Sequence, residues 1–245
     1  MRVPFFAVSF ALLSALAVTA AAAAPLKPAV HGDFKEYTLA LTWQPGMCGT
    51  DEGCQPDQPK MPTIGLHGLW ASLPQSLIDA GVVPQQWWSR GCDYYRHSDA
   101  APPLSAALTA RLNAVMPHFK SSLLVHEYAK HVQCFAFDPT TFFTTELAMR
   151  QTVANGAFGR YLAARTGQTV AHADVVDTFD KTFGLGQSTT LQLQCGRDHQ
   201  GREVLTQLWI ALRADRLATF PNASAFTDTA IAQDNCPATF LVPSW

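Results

Sequence analysis

Six cysteines, Cys48, Cys54, Cys92, Cys134, Cys195 and Cys236, constrain this chain more than any other feature. All six follow an N-terminal segment that reads as an export signal. An even count in an exported chain implies three disulfides. Six cysteines allow fifteen pairings, so spacing alone leaves the connectivity open. Zinc is the competing use of such residues, but no C-x-x-C pair is present.

The export reading rests on the first 24 residues. Arg2 is the only charge before Lys27, Phe5 to Val18 is almost wholly apolar, and a run of alanines ends at Ala24. A positive start, an apolar middle and small residues at the end describe a secretory signal peptide. Cleavage is expected near Ala22 to Ala24, leaving residues 25–245 as one domain. A membrane anchor fits less well, because the stretch is short for spanning and no basic cluster follows it. No stable membrane association is expected after removal. The destination is the periplasm if the cell is bacterial, otherwise an extracellular or vacuolar/lysosomal route. Asn222-Ala223-Ser224 is a glycosylation sequon that has meaning only in the second case.

With 245 residues, 48% of them hydrophobic and 15% charged, the chain can bury a sizeable core. Its net charge of −2 is not that of a protein that holds nucleic acid by charge alone. Any such contact is therefore a local pocket.

Tyr37, Leu39, Leu41 and Trp43 alternate with Thr38, Ala40 and Thr42, the period of a strand that Pro45-Gly46 ends. Ile64 to Trp70 reads as a second strand, after a Gly- and Pro-rich loop from Cys48 to Pro62. Leu104, Leu108, Leu112 and Val115 share one helix face, closed by Pro117. Ser122 to His131 reads as a helix capped by Ser121 or Ser122. Further helices are expected at 139–154, 157–166 and 172–183. Alternation returns at Leu191, Leu193, Cys195 and at Val204, Thr206, Leu208, Ile210, Leu212, with a short strand at Thr239 to Val242. Residues 25–33 read as a loose leader. Strands at both ends with helices between them predict a single disulfide-stapled α+β domain with a mainly antiparallel sheet and several packed helices.

The chemistry concentrates in two segments. In an α-helix, at about 100° per residue, Glu127, Lys130 and His131 share one face, with His126 at its edge. That set is unusual for packing. Imidazole moves protons near neutral pH, Lys130 can stabilise an anion, and Glu127 can orient or charge-balance an imidazole. The zinc pattern H-E-x-x-H needs histidines four apart. Here they are five apart, roughly 140° around an α-helix, and Lys130 would repel a cation. His67 lies in an apolar run between Gly65 and Gly68, which permit close approach of a ligand. By alternation Trp70 points to the opposite face from His67 unless a bulge intervenes. Two imidazoles and a lysine are what phosphodiester transesterification requires. One imidazole deprotonates a ribose 2′-hydroxyl and the other protonates the departing 5′-oxygen. Such a site selects RNA by chemistry, because DNA lacks the nucleophile.

Together, His67-Gly68-Leu69-Trp70 and His126-Glu127-Tyr128-Ala129-Lys130-His131 resemble the two signature segments of the T2 ribonuclease family. Tyr128 stands where the family usually has Trp, and Val132 where it usually has Gly. Leu41 to Cys48 resembles the family's first strand and following cysteine. The resemblance implies an α+β endoribonuclease that cleaves single-stranded RNA through a 2′,3′-cyclic phosphate, with no metal and no cofactor. It implies His131 as general base and His67 as general acid. Glu127 and Lys130 would stabilise the transition state, His126 would bind phosphate, and Trp70 would line a base site. It also implies Cys92 paired with Cys134, leaving Cys48 with Cys54 and Cys195 with Cys236. Ala71 and Ser72 differ from the base-reading residues common after the first motif, so base preference does not carry over. Trp87, Trp88, Tyr94, Tyr95, Phe135 and Phe137 are better explained as core than as stacking platforms. A monomer with RNA as its substrate is expected. The rival readings are a catalytically idle RNA-binding or recognition protein of the same fold, and a hydrolase with a cysteine nucleophile.

Overall fold

The computed structural model describes residues 26–51, 53–229 and 232–245; the expected signal peptide lies outside them. Six strands form one sheet: β1 (Glu36–Trp43), β2 (Ile64–Ala71), β3 (Gln168–Ala171), β4 (Leu191–Arg197), β5 (Glu203–Arg213) and β6 (Thr239–Val242). Their order is β2-β1-β5-β6-β3, with β4 on the other side of β5. Every pairing is antiparallel except a single parallel bridge between Val204 and Leu241.

The alternation of β1 has a plain consequence. Tyr37, Leu39, Leu41 and Trp43 are at most 1% exposed and face the core. The small residues Thr38, Ala40 and Thr42 face the other way. In β5, Leu208, Ile210 and Leu212 enter the core, while Gln207, Trp209 and Ala211 lie beside Thr42, Ala40 and Thr38. The sheet therefore has a second, shallower face, built from small residues along its middle strand.

Eight α-helices are present among the described residues. Three short ones, α1 (Gln44–Cys48), α2 (Gln75–Asp79) and α3 (Pro84–Arg90), precede α4 (Ala106–Asn113) and α5 (Leu123–Glu127). The longer α6 (Pro139–Asn155), α7 (Ala157–Ala164) and α8 (His172–Phe183) follow. Ser105 caps α4 and Ser122 caps α5, each side-chain oxygen accepting a backbone N–H three residues on. Asp138 caps α6, with Pro139 in its first turn. α6 packs against β2, and the buried Arg150 of α6 donates from Nε and Nη2 to the carbonyl of Ile64. Behind the sheet runs a chain of aromatic contacts, Phe135, Phe137, Phe142 and Phe143 near α6, and Phe158, Phe179, Phe183, Phe220 and Phe226 near α8.

Disulfides join Cys48 to Cys54, Cys92 to Cys134 and Cys195 to Cys236. No cysteine is left free, which removes the cysteine-nucleophile reading. Residues 26–33 are not a loose leader. The N–H groups of Ala29 and Val30 reach the carbonyl of Phe135, and His31 stacks on Tyr95 at 3.8 Å. Backbone hydrogen bonding holds this segment to the body, which hydropathy alone does not reveal. None of the described helices is long and apolar enough to cross a membrane.

Candidate active site

β2 is an edge strand, and α5 with the turn after it packs along that edge. Each of the two segments carries a defect that aims its side chains. In β2, Ala40 pairs with Gly68 but Leu41 pairs with Leu66, so His67 is an extra residue. A bulge breaks alternation and re-aims a side chain. His67 and Trp70, opposite by parity, thus reach one face with ring centroids 5.3 Å apart.

The second defect corrects the helical expectation. Tyr128–Val132 is not α-helix but a turn of π-helix. The wider turn narrows the angle between residues five apart, and the rings of His126 and His131 come within 6.3 Å. Nitrogens of both histidines and an oxygen of Glu127 lie within 4.8 Å of one another. The spacing argument against a metal, which assumed an α-helix, does not survive. What remains against a cation is Lys130 beside the group, whose charge depresses proton affinity at both histidines.

His67, Trp70, His126, Glu127, Lys130 and His131 all line one cavity of about 960 Å³. Glu127 is its buried pivot. Trp70 Nε1 donates to Glu127 Oε2 at 2.7 Å, and His67 Nε2 lies 3.5 Å from Oε1. Oε1 is buried without a hydrogen-bond partner. Gly68 permits this approach, since a Cβ there would overlap both the Glu127 carboxyl and the Trp70 indole nitrogen. Gly91, at φ +51°, likewise lets the end of α3 pass the Lys130 backbone.

Burial dominates the electrostatics. It raises the Glu127 carboxyl to about 8, although the Trp70 hydrogen bond and Lys130 pull it down. It lowers His67 to about 4, helped by the charges of His126 and Lys130 and opposed by Gln207. His131 falls well below its ordinary value, first by burial and then through Lys130, His126 and His67. His126 falls as well, by burial and then Lys130. The site is thus a set of neutral imidazoles beside one ammonium, with a carboxyl that keeps its proton. That state binds an anion readily, because a phosphate reverses the repulsion that disfavours protons on the histidines.

Val132 is 1% exposed and sits in the core at φ −123°, so this position neither needs glycine nor enters the cavity. Tyr128 is buried against Phe143. Of the other aromatics, Trp87, Phe135 and Phe137 are core and Tyr94 and Tyr95 pack against it. Trp88 differs: it is 39% exposed and lines the cavity with Ile78 and Val83. Gln207 and Trp209 of β5 also line it, and sequence reasoning missed them. The alternation of β5 was informative only about its core face; the signal lay in the intervening residues.

A sheet, a buried carboxyl and three histidines with a lysine define the class, a nuclease of α+β fold. The ribonuclease T2 family model matches residues 34–229, and the chain belongs to that family as an endoribonuclease of T2 type. Ribonuclease I of Escherichia coli K12 is 30% identical over 256 residues, covering 94% of each chain. RNase NT, solved in complex with 5′-AMP, superposes with a TM-score of 0.60 at 20% identity, over 87% of this chain and 100% of its own. RNase MC1 from bitter gourd seeds superposes with a TM-score of 0.57 at 20% identity, over 85% and 100%. The two structural likenesses concern the fold.

Proposed function

We propose that this protein is exported and cleaves single-stranded RNA by metal-independent transesterification, through a 2′,3′-cyclic phosphate to 3′-phosphate ends. The observation that carries the reading is the convergence of three imidazoles, Lys130 and a proton-bearing carboxyl on one cavity wall. His131, held neutral, is the general base that takes the proton of the ribose 2′-hydroxyl. The freed oxygen bonds to phosphorus. His67 takes up a proton when the phosphate anion binds beside it and is then the general acid: the P–O5′ bond breaks as its imidazolium protonates the leaving oxygen. His67 Nε2 lies 3.5 Å from Glu127 Oε1, within reach of the Glu127 proton once the phosphate anion favours the imidazolium. Lys130 and Glu127 stabilise the charge on the phosphorane, and His126, exposed at the rim, holds phosphate. Trp70 lines a base site. In the second step the roles reverse: His67 deprotonates water, its oxygen bonds to phosphorus, and the P–O2′ bond breaks as His131 returns the proton. Three disulfides and the apolar leader support the export reading.

The test is cleavage of single-stranded RNA in EDTA by the protein and by His67→Ala and His131→Ala. Full activity of the wild type with EDTA and losses of about 10³-fold in each variant are expected. Activity abolished by chelation would restore a metal mechanism, and an inert wild type would leave an RNA-binding protein.

A further inference from the structure

Three glutamines face the same side of the sheet as the site: Gln192 and Gln194 of β4, and Gln207 of β5. Register places Gln194 beside Gln207 and Gln192 beside Trp209. The two on β4 are committed to structure. Gln192 Oε1 accepts from the N–H groups of Gln233 and Asp234, while its Nε2 donates to the carbonyls of Thr189 and Leu191. Gln194 Nε2 donates to the Gln233 carbonyl at 2.7 Å. Gln207 is different. Its Oε1 accepts from Trp209 Nε1 at 3.0 Å. An indole N–H can only donate, so the orientation of the amide is settled: the oxygen faces Trp209 and the two N–H donors point elsewhere. The same oxygen also serves the His67 ring, whose proton affinity Gln207 raises by a side-chain hydrogen bond. No acceptor among the described residues takes the two N–H donors, and the side chain lines the cavity beside His67.

The surroundings suit a flat ligand. Across β1, Gln207 meets Thr42 and Trp209 meets Ala40, small side chains that leave room over the sheet. Trp70 closes on Trp209 edge to face at 5.4 Å, which gives the space an aromatic wall.

We propose that Gln207 is a base-anchoring residue: its side-chain N–H groups donate to an acceptor on the edge of the nucleobase beside the scissile phosphate, with the Trp209 indole fixing the amide. The proposal rests on the ribonuclease reading. A carbonyl or ring-nitrogen acceptor occurs on every base, at pyrimidine O2 or purine N3, so such an anchor can hold a base without choosing among the four.

The experiment is a double-mutant cycle between protein and substrate. The full chain cleaves a deoxyoligonucleotide carrying a single ribonucleotide, whose base on the 5′ or the 3′ side of the scissile bond is intact or replaced by an abasic site. Gln207→Leu should lower kcat/KM about tenfold on the intact substrate and less than twofold on the one lacking the anchored base. Trp209→Phe keeps the ring but frees the amide, and should show a smaller loss with the same dependence. Equal losses on intact and on both abasic substrates would overturn the inference, including the case where the variants are merely less folded. A wild type that cleaves none of them would instead bring down the ribonuclease reading, and this inference with it.

Discussion

His67 and Glu127 lie 3.5 Å apart, and burial pushes both towards their uncharged forms. The consequences for stability run in opposite directions. The folded state keeps a proton on Glu127 up to about 8, whereas an unperturbed glutamate releases it near 4.5. That contribution is complete at low pH and is lost as pH rises through this window. The folded state refuses a proton at His67 until about 4, whereas an unperturbed histidine takes it near 6.5. That contribution is complete at high pH and is lost as pH falls from 6.5 towards 4. Glu127→Gln removes only the first, and the Gln carbonyl can still accept from Trp70. Its stability relative to wild type should therefore climb as pH rises from 4.5 to 8, with a limiting slope of about 1.4 kcal/mol per pH unit. Denaturant midpoints at a series of pH values measure this. A difference that stays flat, or falls with pH, contradicts a proton-bearing Glu127.

At the scale of elements, the site is made by two departures from regular structure. Both segments were legible in the sequence as strand and helix, and so was the grouping of Glu127, Lys130 and His131. The extra residue in β2 and the wide turn at Tyr128–Val132 were not, because periodicity describes the regular element that each defect interrupts. For that reason regular alternation set Trp70 against His67 unless a bulge intervened, and regular α-helix separated His126 from His131. Gly68 is where the bulge and the carboxyl meet. Gly68→Ala places a methyl into both partners of the Trp70–Glu127 hydrogen bond, so one or both must move. Cleavage should fall by about 10²-fold or more, the range for losing one transition-state donor. Gly186→Ala, with no atom within 4 Å of the added carbon, is the matched control and should cleave at the wild-type rate. Equal rates in the two variants would mean that the Trp70–Glu127 contact is dispensable.

For the whole molecule, the antiparallel sheet was legible because β1 and β5 alternate along their length, β4 alternates from Leu191 to Cys195, and β2 is an apolar run. β3 was missed: it has four residues, two of them exposed, and carries almost no period. The short helices α1 to α3, of five, five and seven residues, span too few turns to leave a stripe. Disulfide connectivity had no sequence signal of its own, since pairing is decided by where the fold brings the chain. Its consequence for the site is unequal. Cys92 and Cys134 are 42 residues apart in sequence and tie the short helix at Gly91–Tyr94 to the residues just beyond His131. Cys48 and Cys54, six apart, close only a local loop. By loop-closure entropy the first bond stabilises by about 4 kcal/mol and the second by about 2 kcal/mol. Cys92→Ala/Cys134→Ala should therefore lower the denaturation midpoint about twice as far as Cys48→Ala/Cys54→Ala. It should also reduce cleavage at temperatures where the fold persists, because Lys130 and His131 lose the anchor that follows them. Paired measurements of midpoint and of kcat/KM well below it separate the two effects. If the variant lacking Cys92–Cys134 cleaved RNA at the wild-type rate there, the packing of α3 and the π turn alone would be holding His131 in place.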